Sequence, residues 1–491
     1  EPPCGFGTPN SEGSYSGVAV HPGIGEPVHA TSFTGGRVLS VARIFESPKY
    51  ARVACYLANG WLDRSFGDDG TIDLKYGTHP FRPRKIFFHS KRGLNVIYVA
   101  GNVTIDENHS LLVTRLTMSG QQDRSFGDDG WSLIGFGDDE WEYLEDAAVT
   151  PDGKLVVLSG PQLENWGTAF EVALAKVLPN GQLDRSFGDD GKWTEKFRDA
   201  SHGGVRPKVL HITREGELLI GGHLWNEHRT PFFLSLNADG SRSGRFGFDG
   251  FRPMQRYFMD STPTHIIGMG DDKFLIVATD RVYQLVGTSF NERFADERDG
   301  FAIAPLQVRQ IVLGFDAFYV LAEGGSVWAF HLDGTPKETW GQEGRLVLDI
   351  SPDLESRGRA KTLLIRQGAI LAVGNSITDQ VLAQLDFHDG LIVEDDCGNS
   401  SVRFQAGDPN GSGRIDVSDA VASLEYLFLG SDDVQCPQAI EVNEDGAIDL
   451  SDAVAILSYL FLGQRPPQIT GDCKSDTARD GVPCETNSSC E

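Results

Sequence analysis

Oxygen-bearing side chains recur at one fixed spacing, in two copies, near the C-terminus. The first copy has Asp408, Asn410, Ser412, Arg414 (through its carbonyl), Asp416 and Asp419. The second copy has Glu441, Asn443, Asp445, Ala447 (through its carbonyl), Asp449 and Asp452. These are positions 1, 3, 5, 7, 9 and 12 of a twelve-residue loop, the pattern that supplies calcium with oxygen ligands, and position 6 is glycine in both copies. The sequence therefore predicts two calcium sites.

Each loop runs into an apolar segment with helical spacing. Val421, Leu424 and Phe428 share one helical face in the first copy, and Val454, Leu457 and Phe461 share the equivalent face in the second. We expect these faces to pack against each other around the loops. An exposed binding stripe is the alternative.

The paired loop and helix units resemble a type I dockerin module over residues 397–470. The resemblance implies that the module docks onto a cohesin-like domain and tethers its protein to an extracellular assembly. It also implies which residues make the contact, at loop positions 10 and 11 and on the following helix: Val417, Ser418, Leu424, Leu450, Ser451 and Leu457. Two features depart from the family. Glu441 replaces the usual Asp at position 1, and the position 10 and 11 pairs are not Ser-Thr, so partner specificity does not carry over.

A second kind of repeat occupies residues 14–394. The phrase Asp-Arg-Ser-Phe-Gly-Asp-Asp-Gly occurs three times, and four degenerate copies follow; the seven copies end at Gly70, Gly130, Gly191, Gly250, Gly300, Gly344 and Gly390. Each unit contains about four short β-rich segments separated by turn signals and no long amphipathic helix. Such units are typical of propeller blades, which must close into a ring to bury their faces. The sequence predicts a mainly β, seven-bladed propeller, with residues 14–22 as a candidate closing strand.

The phrase itself resembles the delta-60 repeat of secreted bacterial proteins, which implies a propeller-like fold and no particular activity. We expect its phenylalanines to fill the seams between blades; these are Phe66, Phe126, Phe187 and Phe246. The glycines and aspartates would form a tight turn. Calcium binding by the paired aspartates is the alternative; the pairs are Asp68/Asp69, Asp128/Asp129 and Asp189/Asp190.

Charge and cysteine usage limit the classes of partner and the compartment. The formal net charge of −27 argues against nucleic acid and against an anionic membrane surface. No apolar stretch is long enough to predict a membrane span.

Five of the seven cysteines lie in or after the calcium module, which indicates disulfides and export. The start at Glu1 is expected of a mature secreted product. Because seven is odd, one thiol is left over or pairs between chains. Cys55 is the candidate for a buried free thiol, with a Cys4–Cys55 bond as the alternative.

No catalytic motif stands out, and we expect a non-enzymatic protein. The acidic run 138–146 holds carboxylates that a glycosidase could use, but we expect a solvated insertion there. Basic residues, with one histidine, recur before apolar strands: Arg84, Lys85, Lys208, His265, Arg309 and Lys361. If these residues begin the innermost strands, they ring one mouth of the channel and could bind an anion or an acidic glycan. Surface charge at strand starts is the alternative.

The sequence thus predicts four regions: an N-terminal segment 1–13, a propeller 14–394, a dockerin-like calcium module 395–470 and a Cys-rich tail 471–491. The expected function is that of a secreted, extracellular or cell-surface assembly protein, whose acceptor is a cohesin-like domain or another copy of the chain. A head-to-tail contact between copies would give a homopolymer or filament. Two alternatives stay open: a glycan- or protein-binding propeller, and a polysaccharide hydrolase or lyase.

Overall fold

The computed structural model divides the chain into two compact units, one within residues 16–393 and the other within 394–491. It describes residues 18–47, 49–91, 94–106, 108–136, 142–161, 171–196, 205–224, 230–245, 250–253, 262–270, 272–278, 281–287, 289–291, 294, 301–303, 308–314, 316–322, 325–341, 344–347, 359–366, 369–375, 379–386, 403–412, 414–429, 434, 439–440, 442–443, 448, 450–463 and 474–475. No helix in these ranges is long and apolar enough to cross a membrane.

Seven antiparallel sheets make up the larger unit, and each sheet is one blade. Blade 1 contains β2 (Glu26–Ser32), β3 (Val38–Ile44), β4 (Tyr50–Tyr56) and β5 (Thr71–Leu74). Blade 2 contains β6 (Phe81–Lys91), β7 (Leu94–Ile105), β8 (Asn108–Leu116) and β9 (Trp131–Ile134). Blade 3 contains β10 (Glu142–Val149), β11 (Leu155–Pro161), β12 (Glu171–Val177) and β13 (Lys192–Lys196). Blade 4 contains β14 (Val205–Ile212), β15 (Leu218–Leu224), β16 (Pro231–Leu236) and β17 (Phe251–Pro253).

Blade 5 contains β18 (Pro263–Gly270), β19 (Lys273–Ala278), β20 (Arg281–Val286), β21 (Ser289–Phe290) and β22 (Phe301–Ile303), and both of the last two pair with β20. Blade 6 contains β23 (Val308–Leu313), β24 (Ala317–Ala322), β25 (Ser326–His331) and β26 (Arg345–Val347). Blade 7 contains β27 (Arg359–Arg366), β28 (Ala369–Asn375) and β29 (Asp379–Asp386), and its fourth strand is β1 (Val18–Pro22). A short 3-10 turn, Thr34–Gly36, joins β2 to β3.

The ring closes as the repeat pattern predicts. The first strand of every blade contacts the first strand of both neighbouring blades, around all seven, so these strands line the central channel. Strand β1 pairs antiparallel with β29, with Val18 opposite Ala383, and joins the two ends of the propeller within one blade. The seven-bladed propeller is therefore confirmed, with residues 18–22 as the closing strand.

Burial explains why the middle strands are continuous apolar runs. Every residue of β15 and β16 is buried, because each blade is covered on both faces by its neighbours. The outer strands are more polar: β13, for example, has no buried residue. The core is accordingly a series of apolar clusters, several of which join adjacent blades, rather than one central core.

The repeated phrase forms the seams, as predicted. Phe66, Phe126 and Phe187 are completely or almost completely buried, and Phe246 lies outside the described residues. The glycine after each phenylalanine donates its backbone N–H to a turn carbonyl of the next blade: Gly67 to Ser119, Gly127 to Asn180 and Gly188 to Asp239. The second aspartates, at 69, 129 and 190, have positive φ and lie close to the arginine of the same phrase.

The acidic run corrects one prediction. Residues 142–146 are not a solvated insertion; they belong to β10, the innermost strand of blade 3. Glu142 and Asp146 are buried. Charge within a strand is compatible with the fold here because the innermost strand faces a polar channel. Residues 138–141 lie outside the described residues.

The described part of the C-terminal unit contains two helices of equal length. Helix α1 spans Val417–Leu429 and helix α2 spans Leu450–Leu462, each beginning at loop position 10 of its repeat. The two helices pack against each other. Two short strands, β30 (Arg403–Phe404) and β31 (Lys474–Ser475), pair antiparallel.

Cys55 is a buried free thiol in β4, as expected. Burial raises the pKa of this thiol to about 12, with Asp63 adding to the rise and Arg37 opposing it. The other six cysteines lie outside the described residues.

Candidate functional site

The first calcium-type loop is folded around two buried carboxylates. Asp408 and Asp419 are both completely buried, although eleven residues separate them. Asp408 Oδ1 accepts hydrogen bonds from the backbone N–H of Ser412 at 2.9 Å and from its hydroxyl at 3.4 Å. Asp419 Oδ2 accepts the backbone N–H of Asp416 at 2.7 Å. The loop therefore joins position 1 to position 5 and position 9 to position 12.

One oxygen in this loop has no partner. Asp419 Oδ1 is buried and makes no hydrogen bond. Burial, together with the nearby carboxylates of Asp408 and Asp416, raises the pKa of Asp419 to about 7, while the backbone N–H groups of Asp416 and Asn410 oppose the rise. A buried carboxylate oxygen without a donor is costly unless a cation or a proton satisfies it.

The donor set suits a hard cation. Among the described residues, no three His, Cys, Asp or Glu side chains converge closely enough to form a metal site by themselves. The first calcium-type loop (loop 1) adds other oxygens, from the Asn410 amide, the Ser412 hydroxyl and the Arg414 carbonyl. The hydroxyl and carbonyl oxygens are 3.1 Å apart. Calcium accepts mixed carboxylate, amide and carbonyl oxygens. The orphaned oxygen and this ligand chemistry fit calcium.

The second loop repeats part of this geometry. Asn443 Nδ2 donates to the Ser451 hydroxyl at 2.6 Å, as Asn410 Nδ2 donates to the Ser418 hydroxyl at 2.9 Å. Asp452, the counterpart of Asp419, is completely buried and accepts the backbone N–H of Val442 at 3.0 Å. Four predicted ligands lie outside the described residues: Glu441, Asp445, Ala447 and Asp449.

The helix faces differ from the expected packing. Val421 and Val454 are 45% and 52% exposed, and Phe461 is 70% exposed, so these three residues do not pack between the helices. The buried apolar positions are offset from the exposed ones by one or two residues, at Ala420, Ala422, Ala453 and Ile456. Because one residue turns a helix by about 100°, this offset directs the larger side chains to solvent. The side chain of Phe428 lies outside the described residues.

The predicted partner-binding positions divide into two groups. Val417 and Leu450, at loop position 10, are 47% and 51% exposed. The hydroxyl residues at position 11, Ser418 and Ser451, are also exposed but are held by the asparagines of their loops. Leu424 and Leu457 are half-buried, and Leu457 packs beside Ile456. At its start each helix therefore exposes two apolar side chains one turn apart, Val417/Val421 on α1 and Leu450/Val454 on α2, and α2 also exposes Phe461 and Leu462 at its end.

The second candidate site is the channel mouth. The basic residues singled out by sequence do lie on innermost strands: Arg84 and Lys85 on β6, Lys208 on β14, His265 on β18, Arg309 on β23 and Lys361 on β27. Every innermost strand has a register shift at the same point, and Arg84, Lys208, Arg309 and Lys361 are the extra residues of four of these bulges. A bulge re-aims its side chain, so the repeated bulge places these cations at one level of the channel.

Acidic residues neutralise much of this ring. Lys208 forms an ion pair with Glu145, and Lys361 Nζ lies 3.2 Å from Glu26 Oε1. Lys85 pairs with Asp146 inside the channel. The basic residues therefore do not form the ring alone, because the acidic segment of β10 is part of the same ring.

Two histidines share the channel with the Lys85–Asp146 pair. Burial and the charge of Lys85 lower the pKa of His29 to about 3 and that of His265 to about 4. The charge of Asp146 opposes the lowering of the His265 pKa. Both imidazoles are consequently neutral near pH 7, and His29 Nδ1 accepts the backbone N–H of Ile86 in the neighbouring blade at 3.5 Å.

Unpaired cations collect between blades 1 and 2, where a cavity of about 300 Å³ opens. Its lining includes four basic residues: Arg43, Lys49, Arg82 and Arg84. It also includes Phe45, Tyr50, Phe81, Asn102 and Tyr143. Sequence inspection missed Arg43 and Lys49, because they come from the end of β3 and the loop after it rather than from an innermost strand.

Comparisons with known proteins add little beyond the fold class. No family model matches the sequence, and no curated protein matches it. Among solved structures, the WD40 propeller domain of Doa1 is 11% identical, with 75% of this chain and 98% of that chain covered and a TM-score of 0.43. Sqt1 of Saccharomyces cerevisiae is 7% identical, with coverages of 75% and 98% and a TM-score of 0.41. Puromycin hydrolase is 15% identical, with coverages of 78% and 57% and a TM-score of 0.45. These likenesses are too distant to carry a functional argument.

Proposed function

We propose that this chain is a secreted, non-enzymatic assembly protein, in which a calcium-loaded, dockerin-like module tethers the propeller scaffold to an extracellular acceptor. The single observation that carries the proposal is the buried, unpartnered Oδ1 of Asp419 beside buried Asp408. Burying a carboxylate oxygen that lacks a donor is unfavourable without a cation. Calcium at this loop would satisfy that oxygen, and the repeated spacing of the second loop extends the proposal to a second ion.

The exposed apolar pairs on α1 and α2 supply the docking surface in this proposal. These side chains lie at position 10 of a calcium loop or one helical turn later, so an ion that orders the loops also fixes the start of each helix. They are Val417 and Val421 on α1, and Leu450 and Val454 on α2. Exposed apolar side chains grouped in this way are typical of interaction sites. The acceptor is a cohesin-like domain or a second copy of the chain, and repeated contacts between copies would build a filament.

The test is light scattering and analytical ultracentrifugation of the full chain, with calcium and then with excess chelator. Assembly through copies of the chain predicts large particles with calcium that dissolve on chelation. The Asp419→Asn substitution should abolish assembly, whereas Asp69→Asn, at an exposed aspartate of the propeller, should not. A monomer under all conditions would contradict self-assembly.

The docking surface has its own test. Val421→Lys combined with Val454→Lys places charge on both helices without touching a loop ligand, and should block assembly while calcium still binds. Val286→Lys, at an apolar propeller residue that is 41% exposed, is the matched control. Assembly that survives the double substitution would show that the helices are not the contact.

A further inference from the structure

The cavity between blades 1 and 2 contains a concentration of positive charge. Arg43, Lys49, Arg82 and Arg84 line it, and none of its described lining side chains is acidic. The whole chain carries a formal net charge of −27. Grouping four cations is unfavourable unless an anion offsets their repulsion.

These cations lack the partners that the other ring residues have. Among the described residues, no carboxylate lies within ion-pairing distance of Arg82, Arg84 or Lys49, whereas Lys208 and Lys361 are both paired. Arg82, Arg84 and Lys49 are exposed to solvent in the cavity. They are therefore available to a ligand.

Arg43 supplies the strongest indication of a ligand. Its Nε is buried and makes no hydrogen bond with the protein. Burial, with the neighbouring charges of Arg84 and Arg82, lowers the pKa of this guanidinium, and Glu26 opposes the shift. A guanidinium presents donors in a planar fork that matches a carboxylate or another oxyanion. An oxyanion in the cavity would satisfy the buried donor and relieve the repulsion.

We propose that this cavity binds an anionic saccharide, through a carboxylate or sulfate group held by Arg43, Arg82 and Arg84. Its volume is at the lower end of the range for small-molecule pockets, enough for a short saccharide. Two aromatic side chains of the lining offer apolar ring faces to a sugar ring; they are Phe45, which is 63% exposed, and Tyr143. A dense polyanion such as nucleic acid would extend beyond the cavity and be repelled by the acidic remainder of the surface. A saccharide with isolated charges would contact only the cavity.

The experiment is isothermal titration calorimetry of the full chain with four probes: trigalacturonate, its methyl ester, a sulfated disaccharide and inorganic phosphate. The proposal predicts that trigalacturonate or the sulfated disaccharide binds at least tenfold more tightly than both the neutral ester and phosphate. Which of the two anionic sugars binds better identifies the anionic group. Equal binding of the ester would exclude charge recognition, and phosphate binding as tight as the sugars would reduce the site to a simple anion site; either result overturns the proposal.

Substitutions locate the binding. Arg82→Gln and Arg84→Gln should each weaken saccharide binding about tenfold, since a hydrogen bond to a charged group contributes on that scale. Arg64→Gln removes an exposed arginine outside the pocket and should leave binding unchanged. Phe45→Ala should weaken saccharide binding and leave phosphate binding unaltered. Affinity unchanged in both Arg82→Gln and Arg84→Gln would overturn the assignment. The assay does not depend on calcium or on the C-terminal module, so its failure and that of the assembly proposal can be told apart.

Discussion

Asp146 on the innermost strand of blade 3 accepts the backbone N–H of Leu210 on the innermost strand of blade 4, at 2.9 Å through Oδ2. Its other oxygen accepts the N–H of Ala147 at 2.7 Å and pairs with Lys85 of blade 2. One carboxylate thus joins three consecutive blades at the channel. Elsewhere in the ring, the side chain of Gln310 on blade 6 bonds both backbone groups of Leu363 on blade 7.

This bridge predicts a measurable loss of stability when it is removed. Asp146→Ala leaves the Leu210 N–H without its acceptor and Lys85 without its ion pair. We expect a cost of about 1–3 kcal/mol in the free energy of unfolding, the usual penalty for an unsatisfied buried polar group. Guanidinium denaturation followed by tryptophan fluorescence would measure it, because all tryptophans lie at or before Trp340. Asp68→Ala, at an exposed carboxylate outside the left-handed region, is the control, and an equal effect of both would contradict the bridging role.

The seam phenylalanines should be the most costly apolar truncations. Phe126 is completely buried, with its ring 5.9 Å from that of Tyr98 and 5.6 Å from the guanidinium carbon of Arg115. Phe126→Ala would open a cavity in the seam and lower the free energy of unfolding by about 3–5 kcal/mol. Phe45→Ala, at an exposed ring, should change it by less than about 0.5 kcal/mol. A small effect at Phe126 would mean that the seam can collapse around the gap.

Two glycines allow the cost of a left-handed backbone to be measured separately from the cost of a steric clash. Gly127 has φ +59° and a Cβ there would clash with the carbonyl oxygen of Trp131, whereas Gly270 has φ +85° and open space around it. Alanine at either position incurs the left-handed penalty of about 1–2 kcal/mol. We expect Gly127→Ala to be clearly more destabilising than Gly270→Ala in thermal unfolding. Equal losses would show that the turn of the repeated phrase relaxes freely.

Structural features that recur in every repeat can be predicted from the sequence. Phe66, Phe126 and Phe187 could be assigned to seams because the same phrase recurs at the same point of each unit. The acidic run that ends at Asp146 lies in strand β10, which the sequence did not predict, because a channel-facing strand tolerates charge and charge weakens the strand signal. The cationic cavity was missed in part because Arg43 and Arg82 are distant in sequence, and only the closed ring brings blades 1 and 2 together.

The pKa of Asp419 predicts how the C-terminal unit responds to pH in the absence of calcium. The pKa is raised from 3.8 to about 7 in the folded state, so the folded form binds more protons than the unfolded form between these values. Stability therefore falls as pH rises through this window. Without calcium, backbone amides of α1 should exchange faster at pH 8 than at pH 5, after correction for the intrinsic rate. Hydrogen exchange with mass spectrometry would detect the difference.

Calcium should reverse the dependence, because the ion binds the deprotonated carboxylate and competes with the proton. Calcium affinity should accordingly weaken as pH falls below 7, and binding at pH 7 should release protons. Asp419→Asn supplies the control: it removes the titrating group, so the pH dependence of exchange in α1 without calcium should disappear. An unchanged pH profile in Asp419→Asn would assign the titration to another group. Protection of α1 that calcium does not alter at any pH would exclude loop 1 as a calcium site.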